Sequence, residues 1–132
     1  MHKLLVALLL LSSAVAMAEV SPTTITGATT VTTEQAHLLF KDGALFLDVR
    51  RDSDWEAGRV SGALHLNLKS NYSADTLGAE LGKDEAVVIY CNGEKCMRSS
   101  KASAKAVDWG FTKVHYYRDG FPAWKSAGYP TE

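Results

Sequence analysis

Short apolar runs alternate with amphipathic segments along the chain, which is the pattern of a parallel α/β fold. The runs 44–49 and 86–90 are mainly apolar or β-branched and predict buried strands, and the run 113–117 predicts the last strand. The run 63–68 alternates leucines with polar residues, so it predicts a strand with one buried face. Helical segments separate these strands. We therefore predict an α/β fold with a mostly parallel central sheet flanked by helices.

Capping residues and glycine stops predict five helices between and after these strands. The first two open with a capping-box pattern, in which a hydroxyl and a polar side chain three residues later bond each other's backbone. These pairs are Thr32 with Gln35 and Ser53 with Glu56. The other helices are predicted over 75–81, over 99–109 and directly after Gly120.

A polar loop, residues 91–98, joins the strand 86–90 to the helix 99–109 and carries both cysteines. Backbone N–H groups of the loop and of the first helical turn converge there, and the helix dipole is positive at that end. Cys91 opens the loop, so we expect a depressed thiol pKa and a thiolate nucleophile. The anion-binding residues predicted beside it are Asn92, Gly93, Glu94, Lys95, Cys96, Met97, Arg98 and Ser99.

Four stretches resemble the signature sequences of rhodanese-type sulfurtransferases: the Cys-loop-Arg-Ser sequence, 47–50, 54–63 and 119–130. The resemblance implies the rhodanese fold, a three-layer sandwich, over 31–132. It also implies transfer of sulfane sulfur from a small anionic donor such as thiosulfate, through a Cys91 persulfide, to a thiol or redox-protein acceptor. This chemistry requires neither cofactor nor metal. The four histidines are scattered, and they form no ligand cluster with the cysteines.

The loop is longer than the resemblance implies. Six residues separate Cys91 from Arg98, where single-domain rhodaneses have four and the phosphatases and arsenate reductases of the same fold have five. A phosphatase or arsenate-reductase-like enzyme is therefore one alternative, although Glu94 would repel a tetrahedral dianion. A non-catalytic rhodanese-fold binding module is another.

Cys96 is the second departure from the family pattern. It can form a disulfide that staples the loop, be a chance second thiol, act as a second sulfur carrier, or resolve a Cys91 persulfide by attacking it and releasing sulfide. The last role would make the chain a thiol–disulfide redox or persulfide-reducing protein. The sequence leaves these alternatives open, because the bond requires a Cβ separation that spacing does not give.

Asp48 and Arg50 lie at the C-terminal end of the strand 44–49 and are expected near Cys91, because ligand crevices lie at the carboxyl ends of parallel strands. We expect Asp48 to cap turn amides and Arg50 to pair with Glu56, with a direct role toward substrate as the alternative. Trp55 and Trp124 are expected to pack in or around the core, and His65 to lie at the rim.

The first 18 residues have the basic start, apolar segment and small-residue cleavage site of a signal peptide. We therefore expect export, with the bacterial periplasm as destination, and no membrane attachment after cleavage. Residues 19–30 are expected to be an irregular surface lead-in. The net charge of −1 gives no reason to expect binding to nucleic acid or anionic membrane.

Overall fold

The computed structural model describes residues 19–132, so the predicted signal peptide lies outside the described part. Five parallel strands form one sheet in the order β1-β5-β4-β2-β3. They are β1 (Thr29–Thr30), β2 (Leu45–Asp48), β3 (Leu64–His65), β4 (Ala86–Tyr90) and β5 (Lys113–Tyr117). The predicted bounds of β4 and β5 are confirmed.

Five helices connect or follow these strands: α1 (Thr33–Lys41), α2 (Asp52–Ala57), α3 (Ala74–Gly78), α4 (Arg98–Asp108) and α5 (Gly120–Ser126). The capping box predicted for α1 is present, with Thr32 and Gln35 bonding each other's backbone N–H groups. No helix within residues 19–132 is both long enough and apolar enough to cross a membrane.

The sheet separates two apolar clusters, because successive residues of a strand point to opposite faces. On one face Val87 and Ile89 of β4 pack with Leu77 of α3 and with alanines of α4. On the other face Val88 and Tyr90 pack with residues of α1 and α5, among them Trp124, which is fully buried as predicted. The predicted three-layer sandwich is thus the observed architecture.

Three predicted helix starts are wrong, and one of these is α4, which begins at Arg98 instead of residue 99. Ser53 does not cap α2, which begins at Asp52 and has no side-chain hydrogen bond at its N-cap. Asp52 and Asp54 occupy the first turn instead, where carboxylates interact favourably with the helix dipole. The helix α3 begins one residue earlier than predicted, because Ser73 and Thr76 form a capping box.

The lead-in 19–30 is less irregular than predicted. Thr29–Thr30 pairs with β5 and adds the strand β1 to the sheet. Ser21 is buried. The strand predicted over 63–68 is shorter than expected, since only Leu64–His65 is a regular strand. All three leucines of 63–68 nevertheless contact the α3–α4 side of the core, as the alternation predicted.

His115 of β5 gives a testable pH dependence. Its Nδ1 is buried without a hydrogen-bond partner among residues 19–132, and burial lowers the pKa of the ring. As pH falls through about 6.5, the unfolded chain takes up a proton that the folded ring resists, so the free energy of unfolding must fall. Urea unfolding above and below that pH is expected to show a smaller loss for His115→Gln than for wild type. Equal losses would show that His115 does not contribute.

Candidate active site

Cys91 follows directly after β4, and its side chain is fully buried at the start of α4. The Ser99 backbone N–H donates to Cys91 Sγ at 3.2 Å. The Ser99 hydroxyl lies 3.3 Å from the same sulfur. The side chain of Met97, the N-cap residue of α4, makes no capping hydrogen bond. The Cys91 sulfur accepts from the Ser99 N–H instead, where a side-chain oxygen of the N-cap residue usually accepts. These donors and the helix dipole stabilise negative charge on that sulfur.

Cys91 and Cys96 are joined as a disulfide. Their Cα atoms are 6.4 Å apart, within the range that a disulfide requires. Cys96 is partly exposed, whereas Cys91 is not. The bonded state therefore holds the candidate nucleophile in an unreactive form, joined to a residue that is itself partly exposed.

A cleft of about 460 Å³ lies beside the disulfide. Its lining residues are Arg51, Asp54, Asn92, Lys95, Cys96, Met97 and Arg98. Three of these side chains are cationic and one is acidic, so the cleft favours an anionic ligand. Arg98 also donates from Nη1 to the Val49 carbonyl at 3.1 Å and to Asn67 Oδ1 at 2.9 Å, which ties the start of α4 to the end of β2.

Gly93 and Glu94 do not line this cleft but line a second one, together with Asn92, Lys95 and residues of α5. The Glu94 carboxylate lies 3.5 Å from Arg118 Nη1. Ser21 donates to the Glu94 carbonyl from its backbone N–H at 2.7 Å and from its hydroxyl at 2.8 Å. Arg118 also donates to the Ser21 carbonyl and hydroxyl. The segment before β1 thus anchors the cysteine loop.

Asp48 and Arg50 form a buried ion pair at the end of β2, with Nη2 of Arg50 2.7 Å from Asp48 Oδ2. The predicted pairing of Arg50 with Glu56 is wrong, because Asp48 accepts from both the backbone and the guanidinium of Arg50. Burial acts to lower the pKa of Arg50, but hydrogen bonds and charge from Asp48 raise it overall. The expectation that Asp48 caps a turn amide is confirmed.

This ion pair reaches the cysteine loop through two hydrogen bonds. Arg50 Nη1 donates to Asn92 Oδ1 at 3.2 Å, and Asn92 Nδ2 donates to Asp54 at 3.1 Å. The Tyr90 hydroxyl donates to Asp48 at 2.8 Å. Burial, together with the Asp48 charge, raises the pKa of Tyr90, so that hydroxyl stays a donor. Asp48 and Arg50 thus lie near the loop as predicted, and they hold Asn92 in place.

Gly120, the first residue of α5, lies against the backbone of the cysteine loop at Cys91. Its φ is +70°, and a Cβ there would overlap with the Cys91 carbonyl. The absence of a side chain lets the Phe121 N–H donate to that carbonyl at 2.9 Å. Within residues 19–132, no group of three or more His, Cys, Asp or Glu side chains is placed to hold a metal ion.

Residues 32–127 match the family "Rhodanese-like domain". The chain belongs to the rhodanese-like family. The thiosulfate sulfurtransferase GlpE of Pseudomonas entomophila (strain L48) is 36% identical over 104 residues, which cover 77% of this chain and 88% of that protein. Sulfurtransferase relatives of this kind support sulfurtransferase activity at the family level.

Solved structures agree with this membership. The rhodanese-like domain of the Anabaena sp. protein Alr3790 has a TM-score of 0.67 at 25% identity, and the match covers 78% of this chain and 77% of that one. The human single-domain sulfurtransferase TSTD1 has a TM-score of 0.64 at 22% identity, covering 75% of this chain and 96% of that one. The second likeness supports the fold alone.

The structure divides the predicted anion-binding residues of this rhodanese-like domain into three groups. Those that line the first cleft are Asn92, Lys95, Cys96, Met97 and Arg98. Gly93 and Glu94 lie on the second cleft, and Ser99 is buried against the Cys91 sulfur. Sequence reasoning missed Arg51 and Arg118, because no local pattern connects them with the loop.

Replacing Arg98 with alanine is expected to lower kcat/KM for thiosulfate about ten- to a hundredfold, since a lost charged hydrogen bond is worth about 1.5–3 kcal/mol. The guanidinium both lines the cleft and fixes the start of α4. Steady-state kinetics on the reduced protein measure this effect. Lys101→Ala, which removes an exposed charge from the same helix outside the cleft, is the matched control. An unchanged kcat/KM in Arg98→Ala would place the donor elsewhere.

Proposed function

We propose that this rhodanese-like protein moves sulfane sulfur from a thiosulfate-like anion to a thiophilic acceptor through a persulfide on Cys91. The observation that carries the proposal is the position of the Cys91 sulfur. It accepts a hydrogen bond at the N-terminus of α4 and is bonded to Cys96, which lines a cationic cleft. Once Cys96 is reduced and moves aside, an anion in the cleft is next to a stabilised thiolate.

The transfer step needs no external base or oxidant. The Cys91 thiolate attacks the outer sulfur of thiosulfate, the bond between the two donor sulfurs breaks, and sulfite leaves with the electron pair. Cys91 then carries one added sulfur as a persulfide. Arg51, Lys95 and Arg98 are the cationic residues that would hold the donor and stabilise the departing sulfite.

The bond between Cys91 and Cys96 supports a second fate for the persulfide, in which the outer sulfur is reduced to sulfide instead of passing to the acceptor. The Cys96 thiolate attacks the inner sulfur of the persulfide, sulfide leaves, and the disulfide forms again. Each cycle then consumes two electrons from a thiol or a redox protein. The alternative function, a thiol–disulfide protein without sulfur transfer, is favoured by the same bond, and the experiment below distinguishes the two.

Replacing Cys96 with alanine is expected to remove the requirement for a reductant. Wild type should turn over thiosulfate only with reductant present and should accumulate the disulfide without it. In Cys96→Ala the Cys91 persulfide has no resolving thiol, so it should persist and be seen by mass spectrometry as a protein one sulfur atom heavier. The same persulfide lifetime and the same response to reductant in both proteins would make Cys96 a loop-packing residue. A persulfide in neither protein would favour the thiol–disulfide alternative.

We also propose that the protein works in an oxidising compartment, the bacterial periplasm. The support is the disulfide itself, since such bonds persist in exported proteins, together with the signal-peptide pattern of residues 1–18. Fractionation of cells that express the full chain tests this location, with recovery in the cytoplasmic fraction as the contrary result.

A further inference from the structure

The two sulfurs of the disulfide differ in access and in electrostatic surroundings. Cys91 is fully buried, whereas Cys96 is partly exposed and lines the cleft. Thiol–disulfide exchange requires a thiolate to reach one sulfur and displace the other. Of the two cysteines, Cys96 is the one that a thiol arriving from the cleft meets, because Cys96 lines the cleft and Cys91 does not.

The leaving sulfur is also defined. Displacement is faster when the departing thiolate is better stabilised. The Ser99 N–H and hydroxyl lie 3.2 and 3.3 Å from Cys91 Sγ, at the N-terminus of the eleven-residue helix α4. These groups favour departure of Cys91 as an anion.

The cleft restricts what can attack. Its volume of about 460 Å³ lies in the range of small-molecule sites, and Arg51, Lys95 and Arg98 outweigh the charge of Asp54. We infer that a small anionic thiol opens the disulfide by attacking Cys96, and that Cys91 leaves as the thiolate. A bond forms between the thiol sulfur and Cys96, and the Cys91–Cys96 bond breaks with its electron pair on Cys91. A second thiol then reduces the mixed disulfide, releases Cys96 as a thiolate and is itself oxidised.

This order deepens the proposed function, because it makes Cys91 ready to receive sulfur while Cys96 is still blocked. The test reads the mixed disulfide rather than sulfur transfer, so the inference and the proposed function can fail separately. Oxidised protein is mixed with glutathione, quenched in acid after short intervals, and treated with N-ethylmaleimide at low pH. Trypsin cuts after Lys95 and places the two cysteines in different peptides for mass spectrometry.

The expected result is glutathione on Cys96 and maleimide on Cys91. Glutathione on Cys91, an even distribution, or a bond that glutathione leaves intact would each overturn the inference. The choice of thiol is tested with cysteamine, which is cationic. At equal thiolate concentration it should open the bond more slowly than glutathione, and an equal or faster rate would overturn the preference for an anion.

Ser99→Ala tests the leaving group. This variant removes the hydroxyl near Cys91 Sγ but keeps the backbone donor, so opening by glutathione should slow severalfold with the adduct still on Cys96. Ser100→Ala is the matched control, since that hydroxyl donates to the Met97 carbonyl and not to Cys91. Equal rates for wild type, Ser99→Ala and Ser100→Ala would show that the Ser99 hydroxyl does not stabilise the leaving thiolate.

Discussion

Replacing Cys91 with serine is expected to abolish sulfur transfer and leave the fold nearly intact. A serine hydroxyl does not ionise near neutral pH. It therefore cannot attack the donor and take up its outer sulfur, as the Cys91 thiolate does when it forms a persulfide. The site is fully buried, but the smaller oxygen can still accept the Ser99 N–H. The measurement is thiosulfate-dependent transfer in the presence of reductant, with circular dichroism to check the fold.

Cys96→Ser is the matched control for this experiment. It makes the same chemical change in the same loop and also removes the disulfide, but it keeps the Cys91 thiolate. Activity in Cys96→Ser and none in Cys91→Ser would assign the chemistry to Cys91 alone. More than a trace of activity in Cys91→Ser would overturn the assignment.

Replacing Asp48 with alanine is expected to give the largest loss of stability, about 3–5 kcal/mol in the free energy of unfolding. The Arg50 side chain is only 4% exposed and pairs with the Asp48 carboxylate. Without that carboxylate, the folded state would contain a buried and unpaired positive charge. Tyr90 would lose the acceptor of its hydroxyl as well. Urea unfolding should show a lower midpoint, with an unchanged slope if only stability has changed.

Two further variants show whether this loss comes from the uncompensated charge. Glu56→Ala removes an exposed carboxylate that lies near Arg50 in sequence, and it should change the free energy of unfolding by less than about 0.5 kcal/mol. The double variant Asp48→Leu/Arg50→Met removes both charges and should recover a large part of the loss. A double variant no more stable than Asp48→Ala would contradict this explanation.

The sequence predicted the features that depend on local patterns. The bounds of β4 follow from an apolar run buried on both faces, and the position of Cys91 at a strand end follows from those bounds. The start of α2 was missed because Asp52 and Ser53 both suit the beginning of a helix, and the local sequence does not choose between them.

The contacts that complete the site depend on the tertiary fold. Arg50 pairs with Asp48 rather than Glu56 because both side chains are buried together at the end of β2. Ser21 and Arg118 meet at Glu94 although they are distant in sequence, and no periodicity indicates such a contact. The sequence left open whether Cys91 and Cys96 bond, because spacing does not give their Cα separation, which is 6.4 Å and within the range that a disulfide requires.

The lengths of the strands at the two edges of the sheet have a consequence for behaviour at high concentration. The edge strands β1 and β3 contain two residues each, whereas the central strands contain four or five. An edge strand exposes unpaired backbone groups to which another chain can add, and a very short edge gives such an addition few hydrogen bonds. The architecture therefore protects its buried, strongly β-forming strands from edge-to-edge aggregation.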